Sequence, residues 1–507
     1  MCSKTLVTRR TIICTAVLLA VGFLLLYVLT AQRGVSWGDS GIFQLRIRTG
    51  DIAGRYISGK FGLVGAHPIY VGLCHYLSLC VPAAFRMWFI NALGGVFAAG
   101  AVAMAFLCAW RLTSCVKAAA LAALTFGCAH MTWWLSSMAE VYTLSLLFAA
   151  SELFAALFFL RRDRLEAGTL LFLLNGLHFS VHNFALLSLP IYCALIGLRV
   201  GKGVVPVAFK TRRAFAGCLA LGAVGGWLIG AAPMLLLAGD LWYRSGDFGA
   251  TVASVLVGPF GGQVAGHVGV PFRVTLFNFG LAALSFALPC WVPGVRRLVG
   301  FLRAPCRLPP ERLLLLALFA IHFLFWVRYR VADQATFLLP TLFYATMLLA
   351  PALVGVKRVY LWALGTFCCA IAVPVGVVHA FEARAGVLMV KRAPLPFRDD
   401  LRYFAYPWKQ DEDSAARFMN EVARTLPAHA YVYLDCQAAG MFALAWLDGR
   451  LPDTTKFSDC TWGGNPQAVS TTCWEVRPFP RYRMSPPDAV VTRRGVLYEV
   501  TEAAKGE

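Results

Sequence analysis

The chain has 507 residues, of which 59% are hydrophobic and only 14% are charged, and its mean hydropathy is +0.66. Soluble domains carry about 25% charged residues, so this composition excludes a soluble enzyme and predicts an integral membrane protein with several spans. The net charge of +20 does not indicate nucleic-acid binding, because the basic residues cluster in loops between apolar runs, as membrane topology requires.

The apolar runs predict about eleven membrane-spanning helices, since a helix needs about 20 apolar residues to cross the bilayer core. The first run follows Arg9 and Arg10 and is interpreted as an uncleaved span. It is longer than the apolar region of a signal peptide, and no small-residue cleavage site follows it. The predicted spans cover 11–31, 84–110, 116–136, 141–160, 166–181, 184–198, 214–238, 274–293, 313–327, 335–355 and 359–380.

Lysine and arginine residues are concentrated in alternate loops, among them 161–164, 199–213 and 296–312. The positive-inside rule assigns these loops to the cytoplasm. The N-terminus is then cytoplasmic, and an odd number of spans places the C-terminus outside. With this topology the ionisable residues at the span edges gather at the outer face, where we expect the chemistry.

The composition changes after about residue 385 to a mixture of polar and apolar residues with frequent prolines. Ser414 is expected to cap a helix that runs to about Arg424, and 430–434 and 495–500 have the pattern of strands. The chain is therefore predicted to have a multi-span transmembrane domain over 1–384 and a small extracytoplasmic α/β domain over 385–507. If the outer domain holds a disulfide, Cys460 and Cys473 are the preferred pair.

Asp39 is the first candidate for chemistry, in the segment 37–41 that follows the first span. A carboxylate at the outer lip of a span is costly to keep there, which favours a functional role. The alternative is a helix cap or a simple loop acid. Glycines at positions 38 and 41 let the backbone approach a ligand closely. Near apolar surface, Asp39 is expected to have a raised pKa and to accept a proton from an attacking hydroxyl.

Histidines mark two further segments. His67 precedes a proline at the start of an apolar run, which is either an ordinary helix entry or a hydrogen-bond donor to a sugar or phosphate oxygen. Tyr70 lies one turn further on and is expected to face the same side. His178 and His182 share a helix face and are expected to line a polar pocket, because no third metal ligand is near them.

Charged residues also end later spans. Glu140 follows a tryptophan pair and is either an acid at a helix N-terminus or part of the site. Arg328 and Arg330 lie beside Asp333 at the outer boundary of the ninth span. Two arginines suit a lipid phosphate, which arginine binds through paired hydrogen bonds; the alternative is that both reach to headgroups.

These segments, in this order, resemble the protein O-mannosyltransferase-like membrane family, formerly a domain of unknown function, which has the GT-C glycosyltransferase fold. The matching segments are 39–41, 67–70, 139–142, 176–182 and 329–333, with Phe337 and Pro340. The sequence departs from the family at Ile42, where an acid is usual, in a shortened His67-Pro68 element, and at Asn183, where the family has a second histidine.

The resemblance implies a GT-C-like helical membrane protein that takes a sugar, mannose first, from a polyprenyl-phosphate donor. The acceptor is a Ser/Thr hydroxyl of an exported protein on the outer face of a bacterial inner membrane or its equivalent. The resemblance makes Asp39 the catalytic base. The residues that we expect to bind the donor are His67, Tyr70, Glu140, Tyr142, His182, Arg328, Arg330 and Asp333.

The scheme is a direct displacement that inverts the anomeric centre and requires neither a metal nor a cofactor. Arg328 and Arg330 stabilise the leaving phosphate, with Lys60 in reserve. Two alternatives stay open. The acceptor is a glycolipid or cell-surface glycan, or the protein transports polyprenyl-linked sugars. A transporter should have related halves with broken helices in corresponding positions, and the sequence has neither.

Overall fold

A computed structural model describes residues 8–54, 62–162, 164–201, 211–265, 270–284, 309–331, 333–385, 395–458, 473–476 and 490–501. Helices dominate this part of the chain, and one small sheet lies near the C-terminus. The helices before residue 386 are α1 (Arg9–Thr30), α2 (Gly38–Thr49), α3 (Pro68–Leu79), α4 (Ala83–Thr113), α5 (Val116–Cys128), α6 (His130–Ser136), α7 (Tyr142–Arg162), α8 (Leu165–Phe179), α9 (Phe184–Gly201), α10 (Arg212–Ser245), α11 (Phe248–Leu256), α12 (Gly261–Ala265), α13 (Phe272–Phe279), α14 (Pro310–Arg328), α15 (Gln334–Phe337), α16 (Leu339–Leu349) and α17 (Val359–Ala385).

Within the described residues, seven helical stretches are long and apolar enough to cross a membrane, so the protein is an integral membrane protein. They lie in α1, α4, α7, α10, α14, the α15–α16 stretch and α17. An eighth crossing arises if α5 and α6, which are bent by 61° at a short break, form one span. Large apolar side chains such as Leu18 and Leu221 remain exposed on these helices, as expected where they face lipid.

About eleven spans were predicted, and the described residues contain seven long apolar helices, or eight with the bent pair. The three additional predicted spans fall on α8, on α9 and on α13 with the short π-helix Gly280–Leu284 that follows it. A helix of 15 residues, such as α8, is about 22 Å long, whereas the bilayer core is about 30 Å thick. The predicted span 274–293 also extends beyond the described residues.

The C-terminal part combines three helices with a five-stranded sheet, as the α/β prediction requires. The sheet has the order β2-β1-β3-β5-β4, with parallel pairs on both sides of β1 and antiparallel pairs around β5. Its own apolar core lies around Phe418, Val432 and Phe442. The elements are α18 (Asp400–Ala405), α19 (Ser414–Thr425), β1 (Tyr431–Leu434), α20 (Cys436–Leu447), β2 (Lys456–Ser458), β3 (Cys473–Val476), β4 (Val490–Arg494) and β5 (Leu497–Thr501).

Three local predictions for this part need comment. The predicted helix is α19, but Ser414 is its first residue and Asp413 occupies the cap position. The second strand was predicted from residue 495, but β5 begins at Leu497. Gly495 has a φ of 63° and belongs to the turn between β4 and β5. Cys460 lies outside the described residues, so the disulfide with Cys473 and the domain boundary at 384 stay predictions.

Helix α2 is held between the membrane helices and the C-terminal part. Trp37, just before α2, is buried in the C-terminal apolar core, and its indole N–H donates to Ser414 Oγ over 2.8 Å. Gly41 and Gly440 bring α2 and α20 into backbone contact; a Cβ on Gly440 would lie 2.4 Å from the Gly41 carbonyl carbon. The helix that carries Asp39 therefore depends on both parts of the protein for its position.

Candidate active site

A cavity of about 1090 Å³ brings together most of the predicted site residues. Its lining comes from α2, from the segments before α3 and α7, from the α8–α9 turn, from α10 and α11, and from the segment after α14. The predicted residues that line it are Asp39, His67, Glu140, Tyr142, His182, Arg330 and Asp333. Tyr70 and Arg328 are not among the lining residues.

Asp39 is the second residue of α2 and lines the cavity. Its side chain is exposed to the cavity, and the surrounding protein forms the other walls of that cavity. This enclosure raises the pKa of Asp39 above its usual value by desolvation. Asp39 is thus accessible to a substrate and is a stronger base than a fully hydrated aspartate.

Glu140 lies next to the Asp39 segment and shares the cavity. Ser40, the neighbour of Asp39, donates its hydroxyl to Glu140 Oε1 over 2.5 Å. Burial raises the pKa of Glu140 to about 8, and the nearby charge of Asp39 adds to this rise. At neutral pH Glu140 therefore holds its proton.

Because of this raised pKa, Glu140 is expected to make stability depend on pH. Its carboxyl has a reference pKa of 4.5 and a folded-state pKa of about 8, so between these values the folded protein holds a proton that the unfolded chain has released. The contribution of Glu140 is full below pH 4.5 and is lost as the pH rises towards 8, by at most about 1.4 kcal/mol per pH unit. Between pH 5 and pH 8, we expect the melting temperature of Glu140→Gln to fall less than that of the wild type. Equal losses in the two proteins would contradict a buried, protonated Glu140.

His67 and His182 form a stacked, uncharged pair in the cavity wall. Their ring centroids are 5.5 Å apart with an interplanar angle of 16°. Burial lowers the pKa of His67 to about 4 and that of His182 well below its usual value. His67 Nδ1–H donates to the Val181 carbonyl over 2.7 Å, and the Phe184 N–H donates to His182 Nδ1 over 3.2 Å. The free ring nitrogens are therefore an acceptor on His67 and a donor on His182, which corrects the expectation that His67 donates.

The histidine expected beside His182 lies elsewhere. His178 is buried below the cavity, where Ser145 and Glu152 each lie 2.7 Å from one of its ring nitrogens. It does not line the pocket.

Aromatic rings complete one wall of the cavity. The Tyr142 ring lies 5.4 Å from His182 and 5.6 Å from Phe337, and Tyr329 lies 4.8 Å from Phe337. Tyr70 was expected on the same wall as His67. It is instead fully buried behind Phe43, whose ring centroid lies 5.3 Å from its own. The expectation failed because His67 precedes α3 in a left-handed conformation with a φ of 47°, so helical spacing does not apply to it.

The two predicted arginines lie in different surroundings. Arg330 lines the cavity together with Asp333, whereas the Arg328 side chain is exposed at the end of α14. Arg244, which sequence reasoning did not select, also lines the cavity and forms an ion pair with Asp240 at 2.5 Å. Its position at the end of a long apolar run, like that of Arg328, was the available signal. Lys60 lies outside the described residues.

Arg46 is a second lining residue that the sequence did not indicate. It is buried, and its guanidinium donates to the carbonyls of Asp51, Ile52, Gly65 and Ala66. Burial lowers the pKa of Arg46 to about 10, so it remains charged at neutral pH. Arg46 therefore fixes both ends of the loop between α2 and α3 to the floor of the cavity. Among the described residues, no group of three or more His, Cys, Asp or Glu side chains is arranged to hold a metal ion.

The described membrane helices and the small C-terminal sheet agree with the GT-C-like fold that the resemblance implied. The crystal structure of ArnT from Cupriavidus metallidurans bound to undecaprenyl phosphate has the same fold, with a TM-score of 0.57. The match covers 97% of this chain and 98% of that one at 12% sequence identity, so it establishes the fold. No protein-family model and no curated protein matches the sequence, so membership of the O-mannosyltransferase-like family is not supported.

Proposed function

We propose that this protein is a membrane glycosyltransferase that moves a sugar from a polyprenyl-phosphate donor to a hydroxyl group. The observation that carries the proposal is a cavity that combines Asp39 and Arg330 with apolar side chains such as Leu237, Leu241 and Leu256. A lipid-linked sugar needs a base near the reacting sugar, a cation for the phosphate and an apolar wall for the chain. The shared fold with a protein that was crystallised with undecaprenyl phosphate supports the same donor class.

In the proposed reaction, Asp39 accepts the proton of the acceptor hydroxyl while the oxygen of that hydroxyl attacks the anomeric carbon of the sugar. The bond from this carbon to the phosphate oxygen breaks, and the lipid phosphate leaves with the bonding electrons. Glu140, protonated at neutral pH, keeps the second negative charge out of the site and can donate a hydrogen bond to the sugar. A single displacement of this kind inverts the anomeric configuration.

The leaving phosphate requires cations more than it requires an acid, because it departs already charged. Arg330, which lines the cavity together with Asp333, supplies one, and Arg244 supplies a second. The uncharged His67–His182 pair offers one acceptor and one donor, which suits neighbouring sugar hydroxyls. The Tyr142 ring provides an apolar face beside them.

The finer parts of the proposal concern substrates and topology. Mannose is the proposed sugar, and a Ser/Thr hydroxyl of an exported protein is the proposed acceptor. The proposed orientation has the N-terminus in the cytoplasm, and the cavity and C-terminal sheet on the extracytoplasmic side. The basic loops at 161–164 and 199–213 support this orientation.

The test is an assay of the purified protein in liposomes with radiolabelled undecaprenyl-phosphate-mannose and related lipid-linked sugars. Each donor is offered with a Ser/Thr-rich peptide and, separately, with a glycolipid acceptor. Labelled peptide would support the full proposal. Labelled glycolipid would support the proposed transfer reaction but would change the acceptor from a protein to a glycolipid. Movement of intact donor across the bilayer without transfer to any acceptor would identify a transporter and overturn the proposed function.

A further inference from the structure

We propose that Asn91, a buried amide of the membrane helix α4, is a positioning residue that holds the Asp39 segment against the Glu140 segment. This inference rests on the proposed function, because it assigns Asn91 a role in aligning the two carboxyl groups of that site. Asn91 is not among the residues that line the cavity. It acts through the backbone of the two segments.

The contacts of Asn91 join segments that are about 100 residues apart in the chain. Its Oδ1 accepts from the Ala139 backbone N–H over 3.1 Å, directly before Glu140. Its Nδ2 donates to the carbonyls of Gln32 over 2.9 Å and Gly34 over 3.0 Å, in the segment that leads into α2. With a fourth bond from Gln44, the amide uses both donors and both lone pairs.

Gln44 extends this network from α2 itself. Its Oε1 accepts from the Ser36 backbone N–H over 2.9 Å, and its Nε2 donates to Asn91 Oδ1 over 2.8 Å. The Gln32 backbone N–H donates to the Ser137 carbonyl over 2.8 Å, which ties the two segments together a second time. The hydrogen bond from Ser40 to Glu140 joins the same two segments next to the carboxyl groups of Asp39 and Glu140.

Two shorter apolar helices, α8 and α13, use a buried asparagine in the same manner. Asn175 of α8 donates to the Ala185 carbonyl beyond His182, and Asn278 of α13 accepts from the Ala335 N–H beyond Asp333. All three asparagines are at most 1% exposed. A polar side chain is costly inside a membrane domain, and each of these three binds the backbone of a segment that carries cavity residues. In all three places the amide therefore ties a helix to a segment of the cavity wall.

The experiment compares Asn91→Leu with Tyr27→Phe, a control of similar burial. Tyr27 donates to the Gly127 carbonyl over 2.7 Å between α1 and α5, and neither residue lines the cavity. We expect Asn91→Leu to lower kcat about ten- to a hundredfold, since a misplacement of about 1 Å can have such an effect, with the donor KM within about threefold. Tyr27→Phe should lower the melting temperature and leave kcat unchanged.

Two further measurements keep the test decisive. Gln44→Met removes only one partner of Asn91, folds more readily, and should lower kcat several-fold. Backbone hydrogen exchange needs no substrate: in Asn91→Leu, segments 32–40 and 137–141 should lose protection together, while Tyr27→Phe leaves both unchanged. Normal kcat and normal protection in Asn91→Leu would overturn this inference alone. If the wild-type protein transfers no sugar, the proposed function fails instead, and the exchange result still decides whether Asn91 holds the segments.

Discussion

Asp39→Asn is expected to lower the rate of sugar transfer by about two to four orders of magnitude, the usual effect of removing a positioned general base. The amide has nearly the same shape as the carboxylate but cannot accept the proton of the acceptor hydroxyl. Because Asp39 faces the cavity, the substitution leaves the packing of α2 on Gly440 and Ser414 intact. The measurement is single-turnover transfer from a labelled lipid-linked sugar, together with the melting temperature of the purified protein.

The matched control for this prediction is Asp448→Asn. Asp448 forms an exposed ion pair with Arg48 at 3.1 Å, at the opposite end of the same helix α2. Its loss is expected to change stability and activity little, because exposed ion pairs contribute about 0–1 kcal/mol. Activity of Asp39→Asn within about threefold of the wild type would rule out Asp39 as the base.

Arg330→Ala is expected to raise the KM for the lipid-linked donor about ten- to a hundredfold. A hydrogen bond to a charged group contributes about 1.5–3 kcal/mol, and about 1.4 kcal/mol corresponds to a factor of ten. Arg330 lines the cavity, so its loss removes a cation from the proposed phosphate position. Asp333→Ala should have a smaller effect of the same kind. Donor titrations at saturating acceptor measure both effects.

Arg328→Ala provides the control, because Arg328 lies two residues away and is exposed outside the lining. Its donor KM should stay within about threefold of the wild type. Arg330→Lys keeps the charge but not the planar fork and should lie between the wild type and Arg330→Ala. If Arg328→Ala and Arg330→Ala raise the donor KM equally, or if neither changes it, Arg330 is not the phosphate-binding residue of the cavity.

The sequence predicted the cavity residues best where a polar group lies at the edge of an apolar run. Asp39, Glu140 and His182 lie at such positions, and they line one cavity because the ends of neighbouring membrane helices meet there. The same argument could not separate Arg328 from Arg330, because α14 ends between them and the direction of a side chain changes at a helix end.

Other residues could not be found from the sequence because their role depends on tertiary contacts. Arg46 looks like one charge in a mixed segment, and only the fold shows that it binds four carbonyls of the following loop. In the sequence Asn91 is a single polar residue in an apolar span. Only the fold shows that it bonds to α2 and to the segment before α7. The run 166–181 was predicted at nearly its observed length, and α8 (Leu165–Phe179) carries the polar residues Asn175 and His178, which hydropathy alone does not distinguish from lipid-facing positions.

The anomeric configuration of the transferred sugar is the most direct test of the proposed mechanism. A lipid-linked sugar of known configuration is incubated with the protein and an acceptor, and the configuration of the glycosidic bond in the product is determined by proton NMR. With Asp39 as the proposed base in a single displacement, we expect a product in which the anomeric centre is inverted relative to the donor. A product with retained configuration would contradict the proposed mechanism, since it would require two successive displacements and a different role for Asp39.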